Sequence, residues 1–296
     1  MAILLQLLLS GIALGMIYAV IAFGYQSTFA TSGTLNFGQG EALMLGALVG
    51  LSLAGTISGG PYVNFWAMIP LVLIFGALQG VVVERIGVRP AIKTKSEFGW
   101  IMSTIALGII FRNVAENVWG HDDLPFPSPL PTEPLHIFGA SVLPMELLVV
   151  VGALLLMLGV EFFNRRTIYG KAVVATSTDR DAAGLMGINT SLVITFSYAL
   201  SSASAAFAGV LIAPITLTGA SMGTVLGLKA FAVAIIGGLN SGLGIVVGGI
   251  LLGVAETTTG YYISTGYKDV PGLILLLLVL SVKPAGLFGK TIIKKV

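Results

Sequence analysis

The 296-residue chain has no cysteine and only two histidines. The absence of cysteine excludes disulfides, thiol catalysis and cysteine-ligated zinc or iron–sulfur clusters. Both histidines, His121 and His136, lie in one polar segment, so no apolar segment offers a histidine to a serine nucleophile or to a metal. We therefore expect no catalytic residue, no metal site and no cofactor in this chain.

Charge is also scarce. Only 9% of the residues are charged and 56% are hydrophobic, whereas soluble domains carry about 25% charged residues. The net charge of +2 is small and scattered, so we expect no nucleic-acid partner. A bilayer core about 30 Å thick requires roughly 20 apolar residues per helix, which predicts an integral membrane protein. We expect residues 1–296 to form one all-α, polytopic transmembrane helical bundle of about eight or nine spans.

Nine apolar segments are separated by polar residues, glycine or proline. They cover residues 3–23, 40–53, 65–83, 100–118, 145–163, 191–213, 225–237, 242–259 and 270–282. The second and seventh are too short to cross as simple helices, which predicts one or two short or discontinuous helices. The first segment lacks a basic flank, since no Lys or Arg precedes Arg85, so we expect a retained span and not a secretory signal.

The basic residues fall in three segments between the apolar runs. They are Arg85, Arg89, Lys93 and Lys95; Arg165, Arg166, Lys171 and Arg180; and Lys283, Lys290, Lys294 and Lys295. Because Lys and Arg near span ends are retained on the cytoplasmic side, these segments predict one shared cytoplasmic side. The loop at about 120–143 has three acidic residues, five prolines and no Lys or Arg, and is expected outside. Nine spans then place the N-terminus outside and the C-terminus in the cytoplasm.

Residues 26–41 (QSTFATSGTLNFGQGE) are polar and rich in glycine, yet they lie between two apolar runs. Irregular backbone occurs at membrane depth only where protein buries it or water reaches it, which predicts a cavity lined by Asn36, Gln39 and Glu41. The amides that begin the following helix would favour an anionic group there. The alternative is a plain cytoplasmic turn, with Glu41 as an acidic residue in the first turn of the helix.

Two similar triplets precede the short segments. Residues 33–35 (GTL) precede the second segment, and residues 223–225 (GTV) precede the seventh, which runs in the opposite direction. Short, glycine-interrupted segments in corresponding positions of two inverted halves indicate the binding region of a transporter.

Residues 170–189 (GKAVVATSTDRDAAGLMGIN) are long for a connection in a compact bundle. Asp179 is a good N-cap and Gly187 a helix stop, which predicts a short surface helix over residues 179–186 with an apolar side. Such a helix either lies in the lipid interface or fits a groove of a partner protein, and the residues alone leave both open.

Charged residues near the spans also need partners or water. Arg112 and Glu116 stand one helical turn apart near the end of the fourth span and are expected to pair. Lys229 follows an irregular stretch and either faces a pathway or extends its ammonium to the outer interface.

Four stretches carry a family resemblance. They are residues 35–41 (LNFGQGE) with 44–47 (MLGA), residues 170–189, residues 235–242 (IIGGLNSG) and residues 283–289 (KPAGLFG). In this order and spacing, and along nearly its whole length, the chain closely resembles the LivH-type membrane permease subunits of branched-chain amino acid ABC importers.

The resemblance implies a permease subunit that forms the translocation path in a bacterial cytoplasmic (inner) membrane. It implies a second homologous permease, two cytoplasmic ATPase subunits that bind ATP and Mg, and a periplasmic or extracellular solute-binding protein as partners. It also implies that the loop at about 164–190 holds the coupling helix, which sits in a cleft of the ATPase. The residues expected there are Asp179, Arg180, Ala182, Ala183, Gly187 and Ile188, and those expected along the path are Asn36, Gln39, Glu41 and Lys229.

Two departures leave the substrate open. Residues 38–39 are Gly-Gln where many relatives have Ala-His, so a polar group is kept but its titratable character is lost, and Arg112 adds a charge to its span. Urea, a short amide or an aromatic carboxylate is therefore the alternative to a branched-chain or related small amino acid. An ion-coupled secondary transporter is the rival mechanism, and an intramembrane enzyme a distant third.

Overall fold

The computed structural model describes residues 2–55, 62–94, 98–137 and 139–289. Its helices are α1 (Ala2–Ser32), α2 (Gln39–Leu53), α3 (Phe65–Val82), α4 (Arg89–Lys93), α5 (Gly99–Trp119), α6 (Pro144–Arg166), α7 (Ile168–Thr178), α8 (Arg180–Leu185), α9 (Thr190–Ile212), α10 (Met222–Gly237), α11 (Gly242–Tyr262) and α12 (Val270–Val282). A π-helical turn, Val83–Val88, joins α3 to α4, and a 3₁₀ turn, Thr265–Tyr267, precedes α12. The antiparallel strands β1 (Leu135–Ile137) and β2 (Ala140–Val142) pair Leu135 with Val142.

The predicted all-α membrane bundle is confirmed. Within the described ranges, seven helices are long and apolar enough to cross a membrane, and two shorter apolar helices, α2 and α10, correspond to the two short segments predicted from the sequence. The seven begin with Ile3–Ser32, Phe65–Lys93, Gly99–Trp119 and Pro144–Arg166, and continue with Thr190–Ile212, Gly242–Tyr262 and Thr265–Val282.

The first span is longer than predicted, and the irregular segment is correspondingly shorter. Helix α1 continues to Ser32, so only residues 33–38 separate it from α2. The helix accommodates the hydroxyl groups of this polar stretch: Thr28 Oγ1 donates to the Gly24 carbonyl at 3.3 Å, and Ser32 Oγ donates to the Thr28 carbonyl at 2.7 Å. Such bonds satisfy side-chain donors inside the helix. The prediction of irregular backbone throughout residues 26–41 is therefore wrong for both ends of that stretch.

Two other boundaries differ from the sequence prediction. The third span, expected at residues 65–83, continues through the π turn and α4 to Lys93. The predicted long loop of residues 170–189 is mostly helical, because α7 occupies its first half and packs against α6, α1 and α9. Four of the basic residues used to predict the orientation lie outside the described residues: Lys95, Lys290, Lys294 and Lys295.

The helices form two inverted halves. Helix α1 packs against α11 as α9 packs against α3, and α2 packs against α3 and α5 as α10 packs against α11 and α12. Helices α2 and α10 run in opposite directions. Gly40 of α2 lies against both Gly223 and Gly227 of α10, whereas Met44, one turn further along α2, lies against Gly223, which is nearer the start of α10. These matching contacts agree with the inverted repeat indicated by the sequence, with α6, α7 and α8 between the two sets of helices.

Small residues allow the central helices to approach closely. A methyl group on Gly11 of α1 would lie 2.7 Å from the Val254 Cα of α11, closer than real side chains come. Because lipid provides no hydrophobic drive for helix association, such close backbone packing is a main source of stability in membrane bundles.

Basic residues collect at one end of the bundle, which we call the basic end. Arg89 Nη2 donates to Thr195 Oγ1 near the start of α9 at 2.8 Å, and the Leu287 amide bonds the Ile236 carbonyl near the end of α10 at 2.8 Å. The loop after α5 lies at the other end, where Leu124 pairs with Thr218 in an isolated bridge and β2 packs against α1. The two kinds of segment thus lie at opposite ends, as the charge pattern predicts.

Candidate functional site

The two short helices begin at the same point inside the bundle. A methyl group on Gly40 would overlap the Gly223 carbonyl, and one on Gly223 would lie 2.7 Å from the Gly40 carbonyl oxygen. The backbones of the first turns of α2 and α10 are therefore in direct contact at these two glycines. Each helix N-terminus carries about half a positive charge, so two positive ends meet here.

The sequence indicated correctly that the two short helices correspond to each other, but it paired the wrong residues. The predicted pair was residues 33–35 with 223–225, yet residue 33 precedes α2 by six positions, whereas Gly223 lies in the first turn of α10. The structural counterparts in the first turns are Gly40 and Glu41 on α2, and Gly223 and Thr224 on α10.

Residues 33–38 are held by hydrogen bonds from other helices. A bond of 2.8 Å joins Thr34 Oγ1 to the Tyr198 hydroxyl of α9, and the Phe37 amide donates to Thr104 Oγ1 of α5 at 3.4 Å. The Asn36 side chain accepts from the Gly38 amide at 3.0 Å. Protein groups thus bond the Phe37 and Gly38 amides of this irregular stretch, as the interior of a membrane requires.

Asn36 and Gln39 belong to this support. Their side chains are at most 1% exposed. Gln39 Nε2 donates to the Ser201 carbonyl at 2.9 Å, Ser201 Oγ donates to Gln39 Oε1 at 3.0 Å, and Asn36 Nδ2 donates to the same oxygen at 3.3 Å. These amides hold the segment against α9.

A cavity of about 310 Å³ surrounds the point where α2 and α10 begin. It is lined by Tyr25, Phe37, Gly40, Glu41, Ile105, Gly108, Ile109, Arg112, Gly223, Thr224, Gly227 and Leu228. Its volume is at the lower end of the range for small-molecule sites. Of the four predicted path residues, Glu41 lies on this wall. Asn36, Gln39 and Lys229 are not among the lining residues.

Glu41 is the acidic group of the cavity and is only 8% exposed. Thr224 Oγ1 of α10 donates to its Oε1 at 3.2 Å. Among the described residues, no Lys, Arg or His forms an ion pair with the Glu41 carboxylate. Sequence reasoning found Glu41 but missed Thr224, although its place at the start of a short helix was a signal that could have identified it.

Arg112 borders the same cavity from α5. Its Nε donates to Glu116 Oε1 at 3.0 Å, so the pair predicted from the one-turn spacing is confirmed. The Arg112 side chain is 42% exposed, and its position on the cavity wall was not predicted. A guanidinium group has five N–H donors, so the bond to Glu116 leaves others for a further anion.

Lys229 is held in a separate cluster of charges. Its Nζ lies 3.0 Å from Glu256 Oε2 of α11 and 2.7 Å from Asp269 Oδ1 before α12. The Tyr18 hydroxyl of α1 donates to the same Glu256 oxygen at 2.8 Å. The neighbours Gly227 and Leu228 line the cavity, whereas the Lys229 ammonium links α10, α11 and the start of α12.

The predicted surface helix is present as α8 at the basic end. Asp179 Oδ1 accepts from the Asp181 and Ala182 amides at 3.0 and 2.9 Å, which caps the N-terminus as expected. Gly187 has a φ of +87°, and the Ile188 amide returns to the Ala183 carbonyl at 3.1 Å, which ends the helix.

One face of α8 packs inward and the other is bare. Ala183 is 5% exposed, whereas Leu185 and Met186 are 91% and 84% exposed. Arg180 borders a second cavity of about 520 Å³, which it shares with the last turn of α1 and with Asn240 between α10 and α11. The short helix therefore packs against α7 and α9 at the basic end and presents two large apolar side chains outward.

Comparison with known proteins identifies the family. The branched-chain amino acid transport system permease component matches residues 7–280. The high-affinity branched-chain amino acid transport system permease protein LivH of Salmonella typhimurium is 33% identical over 301 residues, which cover 99% of this chain and 97% of the relative. BraD of Pseudomonas aeruginosa, with the same description, is 30% identical over 99% of this chain and 98% of its own length. A probable LivH permease of Methanocaldococcus jannaschii is 26% identical over 91% and 88%.

No solved structure gave a significant match. The family match covers most of the chain and agrees with a polytopic bundle built around two short helices. The chain therefore belongs to the branched-chain amino acid transport system permease family, as a multi-pass membrane protein.

Proposed function

We propose that this chain is the permease subunit of an ATP-driven ABC importer for branched-chain or related small amino acids. Two relatives that match over nearly their full lengths are described as high-affinity branched-chain amino acid transport system permease proteins, which supports the amino acid substrate. The observation that supports a path through this chain is the cavity at which α2 and α10 begin, with Glu41 on its wall. We further propose a bacterial cytoplasmic membrane, with the N-terminus outside and the basic end in the cytoplasm, because Lys and Arg are retained on that side.

A second homologous permease is proposed to cover the cavity. The cavity opens between α5 and α10, where Ile109 and Leu228 are 58% and 62% exposed. A carboxylate and a guanidinium that faced hydrocarbon at this opening would be costly. A second permease on this face would replace lipid by protein and place the path between the two subunits.

Two ATPase subunits, which bind ATP and Mg, are proposed to dock at the basic end through α8. The exposed side chains of Leu185 and Met186 support this, since two large apolar groups beside the charged residues Arg180 and Asp181 suit a protein groove better than water. The rival interpretation, a helix lying in the lipid interface, predicts that ATPase binding is independent of these two side chains.

The contacts of α8 suggest how its movement reaches the cavity. Helix α8 packs against α7 and α9, and α7 packs against α1 and α9. Helix α9 in turn holds residues 33–38 through Tyr198 and holds Gln39 through Ser201. Closure of the ATPases would therefore shift α8 and α9, and with them the segment that ends at Glu41, so that the cavity opens alternately to the two sides. Solute would arrive from a soluble binding protein outside.

Transport in liposomes tests the function. The chain should import radiolabelled L-leucine only when reconstituted with its partner permease, the ATPases, the solute-binding protein and ATP. The purified chain alone should be inactive under a proton or sodium gradient. Gradient-driven uptake by the chain alone would establish the rival secondary transporter and refute the proposal.

A pair of exposed substitutions tests the docking helix. The double variant Leu185→Asp, Met186→Asp should insert normally but lose at least tenfold in ATPase co-purification, because it places charge on a docking surface and touches no span. Tyr62→Asp is the matched control, since Tyr62 is 80% exposed and lies before α3 at the opposite end. Equal ATPase recovery from both variants would exclude α8 as the docking element.

A further inference from the structure

The three buried glutamates of the described chain differ in their partners. Glu84 is 2% exposed and receives two hydrogen bonds from Arg89, and Glu256 is 3% exposed and pairs with Lys229. Glu41 is 8% exposed, lies on a cavity wall, and has a threonine hydroxyl where the others have a cation. Because buried charges in membrane proteins are normally paired, Glu41 has the environment of a carboxylate whose cation arrives with a ligand.

Among the described residues, Thr224 provides the side-chain hydrogen bond to the Glu41 carboxylate, and the backbone of Glu41 itself also interacts with that carboxylate. Thr224 bonds Oε1, and the Gly108 backbone lies near Oε2 without offering a side chain. An ionised carboxylate accepts several hydrogen bonds, and an ammonium group offers three donors. An ammonium group placed in the cavity would therefore complete the bonding of Oε2.

The other charged group among the residues that line the cavity is the cation Arg112. Arg112 uses its Nε for Glu116, and the flat guanidinium fork matches a carboxylate through two parallel hydrogen bonds. The remaining wall includes the apolar side chains of Ile105, Ile109 and Leu228. The cavity thus combines an anion, a cation and an apolar surface.

We propose that this cavity binds a zwitterionic amino acid, with Glu41 receiving its ammonium group, Arg112 its carboxylate, and the apolar wall its side chain. This assignment rests on the proposed transport function and narrows its substrate. Urea or a short amide has no anionic group for Arg112, and an aromatic carboxylate has no cationic group for Glu41. A ligand with both charges satisfies both residues and adds no net charge to the site.

The absence of native cysteine allows a direct test. The variant Ile109→Cys places one thiol of this chain on the exposed part of the cavity wall. Its alkylation rate would be measured in the assembled permease–ATPase complex with three probes, L-leucine, 4-methylpentanoate and leucinamide. L-leucine should slow alkylation, whereas 4-methylpentanoate, which lacks the ammonium, and leucinamide, which lacks the carboxylate, should protect at least tenfold less well. Equal protection by all three probes overturns the proposal.

Substitution of the acidic group gives the second arm. Glu41→Gln, added to Ile109→Cys, should raise the L-leucine concentration for half-protection about ten- to hundredfold, since a hydrogen bond to a charged group is lost. Glu41→Asp keeps the charge and should recover part of the effect. Glu161→Gln is the matched control, because Glu161 pairs with Arg165 on the exposed face of α6, away from the cavity. Unchanged half-protection in Glu41→Gln refutes the ammonium assignment.

The same complexes separate failure of the site from failure of the function. Co-purification of the ATPases reports whether each variant assembles, and ATP-driven L-leucine import by the unsubstituted complex reports the function. If that complex imports L-leucine and Glu41→Gln retains full import per ATP hydrolysed, the site assignment is wrong and the function stands. If the unsubstituted complex imports no amino acid, the proposed function fails and this assignment fails with it.

Discussion

The contact between α2 and α10 should tolerate no side chain. A methyl group added by Gly223→Ala would lie 2.7 Å from the Gly40 carbonyl oxygen and 2.9 Å from Met44 Cβ, whereas ordinary contact begins at 3.4 Å. The two helices would have to separate by roughly half an ångström or more, and overpacking of this kind costs about 1–3 kcal/mol. The separation would also stretch the bond between Thr224 and Glu41.

The matched control is Gly159→Ala on α6, where an added methyl meets nothing within 4 Å. Both changes replace a helical glycine by alanine, so the gain in helix propensity, about 1 kcal/mol, is common to both and cancels. The apparent melting temperature of the purified complex should therefore fall by several degrees for Gly223→Ala relative to Gly159→Ala, and L-leucine import should fall with it. Equal melting temperatures and equal import would show that the two helices do not touch at this point.

Two further substitutions test the groups around the site. Lys229→Met should destabilise the chain by about 3–5 kcal/mol, because it leaves Glu256 buried without a cation. The double variant Lys229→Met, Glu256→Leu should recover most of that stability in thermal unfolding, and no recovery would refute a simple ion pair. Tyr198→Phe removes the hydrogen bond to Thr34 and should cost about 1 kcal/mol in stability, with normal ATPase co-purification. Loss of L-leucine import per ATP hydrolysed would support a role for α9 in moving residues 33–38, and an unchanged ratio of import to hydrolysis would contradict it.

Hydropathy and charge predicted most of the architecture because the bilayer imposes both. Helices must satisfy their own backbone in hydrocarbon, so apolar length alone located the spans, and α12 has the predicted bounds. The errors fell where polar residues continue a helix. Residues 26–32 look like a break by composition, but Thr28 and Ser32 bond the helix backbone, and the polar stretch stays helical.

The site was less predictable because its residues come from four helices that are distant in sequence. Glu41 was marked by its position in a polar stretch, but Tyr25, Gly108 and Thr224 join it only through packing of α1, α5 and α10. Asn36 was chosen for its polarity, which cannot distinguish an amide that faces a cavity from one that bonds a neighbouring residue. Lys229 illustrates the same limit, since its partners Glu256 and Asp269 are 27 and 40 positions away.

The inverted repeat connects the fold to the mechanism. The two half-length helices begin at a place inside the bundle where the backbones of Gly40 and Gly223 are in direct contact. Helix α2 runs from this place toward one end of the bundle and α10 toward the other, so in the proposed mechanism a shift of either half would change the cavity from one side. Thr34 is bonded to Tyr198 and Gln39 to Ser201 on α9, so in the proposed mechanism a displacement of α9 would reach Glu41 through these two contacts without bending α2. A membrane path that must open alternately to two sides needs this kind of coupling between rigid helices.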